Sequence, residues 1–120
     1  MSNERKYDLE ERTYQFAKDV RIFIKVLPKT ISNIEDSKQL NRSSGSVGAN
    51  YIEANEALGA KDFLMRVKIS RKEIKESIYW LRLIITNSDL DLEKQKLSLL
   101  KEAKELLLIL SAIINKSSTK

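Results

Sequence analysis

The stretch Arg42-Ser43-Ser44-Gly45-Ser46-Val47-Gly48-Ala49-Asn50 decides whether the second quarter of this chain is a loop or a helix. Residue propensity favours a loop, because glycine, serine and asparagine are poor helix formers and common in turns. Periodicity favours a helix, because small or apolar residues continue through the stretch at intervals of four and three. These residues are Leu40, Ser44, Val47, Tyr51, Ala54 and Leu58. A loop has no reason to keep that spacing, so we predict one helix over 30–58, with small residues where a neighbouring helix comes close.

The rest of the sequence predicts three more amphipathic helices. Helix one begins at Asp8 as its N-cap and ends before Pro28, because proline disfavours helical geometry in the residue that precedes it. A turn at Asn87-Ser88-Asp89 separates helices three and four. The core stripe predicted for helix three is Phe63, Val67, Ile74, Ile78, Leu81 and Ile85. The predicted ranges of helices one, three and four are 8–27, 60–87 and 91–115, followed by a polar tail over 116–120.

Four long helices with short connections predict an all-α fold, a single domain over 1–120 packed as an antiparallel up-down-up-down four-helix bundle. The chain has 120 residues, of which 42% are hydrophobic, and this suits one domain with its own core. It contains no cysteine, so nothing requires an oxidising compartment, and we expect a cytoplasmic protein. The charged N-terminus lacks the apolar run of a signal peptide, and no apolar run is long enough to span a bilayer. We therefore expect no membrane association.

Several short motifs between Asn41 and Leu81 carry a family resemblance. They are Arg42-Ser43, Ser46-Val47-Gly48-Ala49-Asn50-Tyr51-Ile52-Glu53-Ala54, Asp62-Phe63, Lys72-Glu73 and Glu76-Ser77-Ile78-Tyr79-Trp80-Leu81, with weaker agreement at Leu9, Arg12, Phe16 and Ala17. In these residues the chain resembles the four-helix-bundle proteins of the 23S rRNA intervening-sequence family. It departs from the family's pattern at Ala60, where the family often has a serine-like helix start.

The resemblance implies a second helix that continues through the glycines, and a homo-oligomer, specifically a homopentameric ring. Family members are encoded inside insertions of bacterial large-subunit ribosomal RNA genes or elsewhere in bacterial chromosomes. They are similar to the accessory variability determinant of diversity-generating retroelements, which works with a reverse transcriptase and nucleic acid. The resemblance therefore implies RNA or DNA, and a protein such as a reverse transcriptase, as partners. It implies no particular reaction.

Two pairs of carboxylates superficially resemble the ligands of di-iron sites in helical bundles. They are Glu53 and Glu56 on helix two and Glu73 and Glu76 on helix three. Such sites also use Glu-x-x-His pairs, and the chain has no histidine or cysteine, so we expect no metal and no other cofactor. A structural polar network explains the carboxylates better, because an unpaired carboxylate inside a bundle is costly. The predicted network contains Arg12, Arg42, Asn50, Glu53, Glu73 and Glu76.

Catalytic residues are not evident in the sequence. Ser43, Ser44 and Ser46 lack a histidine that would act as their base and lie in a segment of small packing residues. We therefore expect that the protein is not an enzyme. A general acid and base made of glutamate and lysine is the enzymatic alternative that fits the composition best.

Basic residues fall on one face of helix one and on one face of helix three, within roughly 80° of one another on each. They are Lys18, Arg21, Lys25 and Lys29 on helix one and Lys61, Lys68, Lys72, Lys75 and Arg82 on helix three. Two interpretations stay open: a surface that binds phosphate backbone, or solvated faces of a chain whose net charge is +5. Tyr7, Tyr14 and Tyr79 would stack on bases or, more often for such residues, pack in the core or an interface.

A second apolar stripe on helix three, made of Ile69, Trp80 and Ile84, lies away from the core stripe. On a monomer it would be exposed, so we predict an oligomer interface there, with the alternative that Trp80 closes one end of the core. The function that the sequence favours is a non-enzymatic, oligomeric helical scaffold that binds RNA or DNA electrostatically. A protein-binding adaptor with no nucleic-acid ligand and a small enzyme are the alternatives.

Overall fold

Four α-helices form the computed structural model, which describes the backbone of residues 2–118 and the side chains of residues 8–118. The helices are α1 (Ser2–Lys25), α2 (Ile31–Asn55), α3 (Ala60–Leu83) and α4 (Leu90–Ser118). No strand occurs between residues 2 and 118, so the predicted all-α class and the four helices are confirmed over that range. None of these helices is long and apolar enough to cross a membrane.

The glycine-containing segment lies in the middle of α2. The prediction from periodicity is therefore confirmed, and the one from residue propensity is wrong. The side chain of Thr30 caps the start of α2 by accepting a hydrogen bond from the backbone N–H of Asn33 at 3.1 Å. Further along, α1 packs so close that a Cβ on Gly48 would lie 2.8 Å from Oγ1 of Thr13. This close packing offsets the low helix propensity of glycine.

The four helices pack around one core. α2 and α4 each lie beside both α1 and α3, whereas among the described residues no Cα atom of α1 is within 8 Å of one of α3, so these two helices lie diagonally across the bundle. Glu10 contacts Asn55 and Arg21 contacts Asn41, so residue numbers fall along α2 as they rise along α1. The main core residues are Leu9, Phe16, Val20, Phe23, Leu40, Val47, Tyr51, Ala54, Val67, Ile74, Leu81, Leu99, Ala103, Leu106, Leu110 and Ile114.

Two predictions at the end of helix three are wrong. Ile84 is only 2% exposed and belongs to the core, whereas Ile85, which we expected in the core, is 47% exposed. The reason is that α3 ends at Leu83, four residues earlier than predicted, and the backbone at Ile84 is extended, with φ −58° and ψ 133°. Helical periodicity therefore no longer determines which side chain points inward.

Other helix ends also differ from the prediction. α1 begins at Ser2, so Asp8 lies inside it and is not its N-cap, because the Glu, Arg and Lys residues before it are good helix formers. α2 ends at Asn55, because Leu58 is fully exposed and its side chain contributes no buried surface that would stabilise another helical turn. Residues 116–118 of the predicted polar tail continue α4, and 119–120 lie outside the described residues.

The two connections that flank α3 follow local sequence chemistry. Gly59 occupies the N-cap position of α3, and no side-chain hydrogen bond caps this helix. The predicted turn before α4 is confirmed: Asn87 and Ser88 have positive φ angles of 55° and 62°. Asp89 then caps α4, because its Oδ1 accepts a hydrogen bond from the backbone N–H of Leu92 at 3.0 Å.

A buried asparagine, Asn33, links the α1–α2 connection to the α3–α4 connection. The Nδ2 of Asn33 donates hydrogen bonds to the carbonyl oxygens of Pro28, at 3.1 Å, and Ile85, at 2.8 Å. Its Oδ1 accepts a hydrogen bond from the backbone N–H of Ile85 at 3.0 Å. One side chain therefore satisfies backbone groups from both connections at this end of the bundle, where the extended chain cannot satisfy them by helical hydrogen bonds.

Candidate nucleic-acid interface

The basic residues predicted on helix three form one exposed face of α3, which we call the α3 basic face. It contains Lys61, Lys68, Lys72, Lys75 and Arg82, all of them exposed. At 100° per residue this face lies opposite the buried side of the helix, which carries Val67 and Ile74. Among residues 8–118, no carboxylate forms an ion pair with any of the five. Their charges are therefore left to act on ions and molecules in the solvent.

The basic residues predicted on helix one are also exposed, but they are less uniform. Lys18 lies with its Nζ 6.0 Å from the ring centre of Tyr14. The guanidinium of Arg21 donates hydrogen bonds to backbone carbonyl oxygens of α1 and α2, at 2.8 and 3.3 Å. Lys25 is the last residue of α1, so Lys29 lies beyond the helix and is not part of its face, contrary to the prediction.

The two basic surfaces point to different sides of the molecule, because α1 and α3 lie diagonally across the bundle. A straight nucleic-acid segment cannot contact both surfaces of one subunit at once. The predicted tyrosines are distributed between them: Tyr14 on α1 and Tyr79 on α3 are each more than half exposed. The Tyr79 ring stands edge-on to Trp80, with ring centres 5.0 Å apart. The side chain of Tyr7 lies outside the described residues.

A groove that sequence reasoning missed runs between α1 and α2 beside Tyr14. Its volume is about 430 Å³, and Tyr14 and Ile52 line its sides. These side chains are 58% and 48% exposed. On the α2 side, the groove is lined by three small residues, Gly45, Gly48 and Ala49. Lys18, Arg21 and Glu10 also border it. The glycines were the available signal, because residues without side chains on a surface helix leave a depression.

The predicted polar network separates into four groups. Arg42 lies between two carboxylates of α3, with its Nη2 3.4 Å from Glu73 and 3.0 Å from Glu76. Beside it, the hydroxyls of Ser43 and Ser77 are hydrogen bonded at 2.8 Å. The charge of the buried Glu73 is therefore balanced by an ion pair with Arg42, while its Oε1 accepts no hydrogen bond.

The remaining members lie elsewhere, which corrects the prediction. Arg12 faces α4 and forms ion pairs with Glu102 at 2.7 Å and Glu105 at 3.3 Å, because it is on the side of α1 turned away from α2. Its hydrogen bond to Glu102 raises the pKa of Arg12. Glu53 pairs with Arg66 at 3.8 Å. Asn50 donates a hydrogen bond to the carbonyl oxygen of Ser46, in its own helix, at 2.9 Å.

The apolar stripe predicted as an oligomer interface is not a continuous exposed surface. Ile84 is in the core, and Trp80 is partly buried and packs against the core. The alternative in which Trp80 covers the core therefore fits better. Ile69 is half-buried. The outer face of α4 instead exposes Leu97 by 65% and Leu108 by 71%, on the side opposite its core residues.

The remaining candidate groups are possible metal ligands and the serine hydroxyls of α2. Among residues 8–118, no three histidine, cysteine, aspartate or glutamate residues are arranged to hold a metal ion. The hydroxyls of Ser44 and Ser46 donate hydrogen bonds to backbone carbonyls one turn earlier in α2, and that of Ser43 also contacts such a carbonyl.

Comparison with known proteins places the chain in a family. No curated protein matches it. A crystal structure of a protein of unknown function from the S23 ribosomal protein family of Bacteroides thetaiotaomicron is similar, with 28% sequence identity and a TM-score of 0.76. That similarity covers 92% of this chain and 97% of the other. The sequence profile of the family described as 23S rRNA-intervening sequence protein matches residues 5–112. With nine-tenths of its length matched, the chain belongs to the 23S rRNA-intervening sequence protein family.

Proposed function

We propose that this protein is a non-enzymatic, oligomeric helical scaffold that binds RNA or DNA through the phosphate backbone. The α3 basic face carries the proposal. It presents five exposed cations along one side of a single helix, and among residues 8–118 none is neutralised by a carboxylate. Other basic residues of the same chain, Arg12, Arg42 and Arg66, are paired with carboxylates and serve the fold.

Such a face suits backbone contacts, because lysine ammonium groups attract phosphates without requiring a particular base. Each phosphate contact releases condensed counterions, so affinity falls as salt rises. Five contacts correspond to a slope of about 4 in log affinity against log salt concentration. The binding is therefore expected to be strong at low salt, weak at physiological salt for one subunit, and nearly independent of sequence.

A homo-oligomer supplies the affinity that one subunit lacks at physiological salt. Our proposal includes the antiparallel up-down-up-down bundle predicted from the short connections between the helices. It also includes the ring of five subunits that the family resemblance implies. Closed symmetry repeats the α3 basic face around the assembly, and several subunits on one strand raise the effective concentration of each contact. The family's description refers to 23S rRNA, so RNA is the first ligand to test.

The deciding experiment compares two triple variants that remove the same charge. Lys68, Lys72 and Lys75 on α3 are changed to glutamine in one, and Lys94, Lys101 and Lys104 on α4 in the other; all six lysines are exposed. Filter binding to mixed-sequence RNA and duplex DNA is measured at low and physiological salt. We expect the α3 triple variant to bind both ligands about tenfold or more weakly and to reduce the salt slope by about 3.

The α4 triple variant should bind nearly as the natural protein does. Equal weakening by both variants would show that net charge, and not the α3 basic face, governs binding. No binding by the natural protein at low salt would remove the proposal. Melting temperatures of all three proteins should agree closely, because exposed charges contribute little to stability.

A protein-binding adaptor is the second candidate, and the outer face of α4 favours it. Leu97 and Leu108 are large apolar side chains left largely exposed on this helix. Such residues are common where another protein binds, either a second subunit or a partner such as a reverse transcriptase. Changing both to glutamate should lower the mass measured by light scattering, with unchanged helical circular dichroism, if this face joins subunits. An unchanged mass would leave it free for a different protein.

A further inference from the structure

We propose that the groove between α1 and α2 receives an unpaired nucleobase, so that the protein prefers single-stranded over double-stranded nucleic acid. This inference rests on the proposed nucleic-acid function and assigns it a second site. The site is on the side of the molecule away from the α3 basic face, and it differs from that face in having depth as well as charge.

The groove has the size of a ligand site. Its volume of about 430 Å³ falls within the range of about 300 to 1,000 Å³ that is usual for small-molecule sites. It exists because Gly45, Gly48 and Ala49 carry little or no side chain beside α1. Close approach of Thr13 explains the glycine at position 48 but not the small residues at the other two positions. At Gly45 a Cβ would meet only the end of the Arg21 side chain, at 3.1 Å.

The sides of the groove are apolar and aromatic. Tyr14 and Ile52 border it, and each side chain has about half of its surface in contact with solvent. Exposed apolar surface of this kind is covered favourably by a flat aromatic ligand. A tyrosine ring stacks on any nucleobase, because every base has a π face, so this contact needs no particular sequence.

Two cations, Lys18 and Arg21, line the groove and would attract the phosphate of a bound nucleotide. Lys18 is near the Tyr14 ring, with its Nζ 6.0 Å from the ring centre. Arg21 is held beside the groove by hydrogen bonds to the carbonyl oxygens of Ala17 and Asn41. These exposed hydrogen bonds place its guanidinium beside the groove before a ligand arrives. Glu10 also borders the groove, and its carboxylate accepts a hydrogen bond from Asn55. Because this carboxylate repels phosphate, the backbone of a bound strand should lie on the side of the groove where Lys18 and Arg21 are.

An unpaired strand fits this arrangement and a duplex does not. The bases of a duplex are stacked inside it, and one of them reaches a protein pocket only after it is unstacked and unpaired. Single strands present bases that are free to stack on aromatic side chains. Tyr79 is similarly exposed, but it lies among the lysines of the α3 basic face and does not line this groove.

The test measures binding of the full chain to three probes of equal length: a single-stranded RNA, the corresponding duplex, and a single-stranded abasic sugar-phosphate strand. Two variants alter the groove, Ala49→Leu by filling it and Tyr14→Leu by removing the ring. Both positions are exposed, so helix content and melting temperature should stay unchanged. Ala112→Leu, which adds the same side chain as Ala49→Leu at an exposed position of α4 outside both proposed binding surfaces, is the matched control, and Tyr14→Phe keeps a ring that can stack.

We expect Ala49→Leu and Tyr14→Leu to bind the single-stranded RNA about tenfold more weakly. Their binding to the duplex and to the abasic strand should be unchanged, and Tyr14→Phe and Ala112→Leu should behave as the natural protein. The inference is overturned if the groove variants bind all three probes normally, or lose affinity for all three equally. Either result would leave the α3 proposal standing, provided that the α3 triple variant still binds weakly.

A fall in oligomer mass with unchanged RNA binding would identify the groove as a subunit contact. No binding of any probe at low salt would end both proposals.

Discussion

Replacing Gly48 with alanine adds one carbon atom at the closest approach of α1 and α2. The new Cβ would lie 2.8 Å from Oγ1 and 3.1 Å from Cβ of Thr13. Thr13 cannot easily move away, because it is buried and its hydroxyl donates to the carbonyl oxygens of Leu9 and Glu10, both at 2.9 Å. The two helices must therefore separate slightly.

The expected change in stability is the difference between two terms. Overpacking a well-packed site costs about 1 to 3 kcal/mol. Alanine in place of glycine inside a helix stabilises by about 1 kcal/mol. Gly48→Ala should therefore lower the free energy of unfolding by about 1 kcal/mol, and the melting temperature by about 4 °C. Gly48→Leu should lower the free energy by about 3 kcal/mol, because more atoms must be accommodated.

Gly45→Ala is the matched control on the same helix. Its Cβ would meet only the flexible end of Arg21, at 3.1 Å, so the gain in helix propensity should dominate. We expect an increase in melting temperature of a few degrees, on the scale of about 0.5 to 1 kcal/mol. Melting is followed by circular dichroism at fixed protein concentration, because oligomerisation makes the melting temperature depend on concentration.

A double-mutant cycle identifies the atoms responsible. Thr13→Ala removes the hydroxyl that a side chain at position 48 would meet, so in that background Gly48→Ala should be close to neutral. The coupling energy should then be about 1 kcal/mol. If Gly48→Ala instead stabilised the protein as much as Gly45→Ala, or if the coupling were absent, the close approach of α1 and α2 would not be the reason for glycine at position 48.

Two further variants test other parts of the fold. Asn33→Ala leaves the backbone groups of Ile85 and Pro28 without their hydrogen bonds, so urea unfolding should show a loss of about 2 to 4 kcal/mol, and an unchanged midpoint would contradict the role given to this side chain. Burial, assisted by the Glu10 carboxylate, raises the pKa of Tyr51 above its ordinary value of 10.0. The folded state therefore holds this proton more tightly than the unfolded state. The resulting stability is intact below pH 10.0 and is lost as pH rises through the folded pKa, so Tyr51→Phe should melt with a shallower decline above pH 10.0 than the natural protein.

The sequence predicted the helices well where one side of a helix faces the core over many turns. The spacing from Leu40 to Ala54 was enough to establish α2 against the propensity of its glycines, because burial repeats with the helical period and outweighs local preference. The same rule failed at Ile84 and Ile85, because α3 ends at Leu83 and helical periodicity does not apply to the extended segment that follows.

Side-chain contacts between different helices were harder to predict than the helices themselves. Periodicity tells which side of a helix is buried, but not which neighbour lies beside each edge of that side. Arg42 and Arg12 were both expected to reach carboxylates of helices two and three, yet only Arg42 faces α3. Arg12 faces Glu102 on α4, a residue that no local pattern in the sequence connects with it. Such pairs depend on the order in which the helices surround the core.

At Gly48, the packing of two helices and the shape of the groove depend on the same residue. Gly48 is required by the packing of α1, and the absence of a side chain there also contributes to the opening beside Tyr14. A variant at Gly48 therefore changes the stability of the fold and the shape of the groove together, and loss of RNA binding in it would have two explanations. Ala49 lies next to it on the exposed side of α2, where an added side chain enters the groove without meeting the core. Ala49→Leu thus separates the two consequences: if RNA binding falls while the melting temperature stays constant, the small residues of α2 serve ligand binding as well as helix packing.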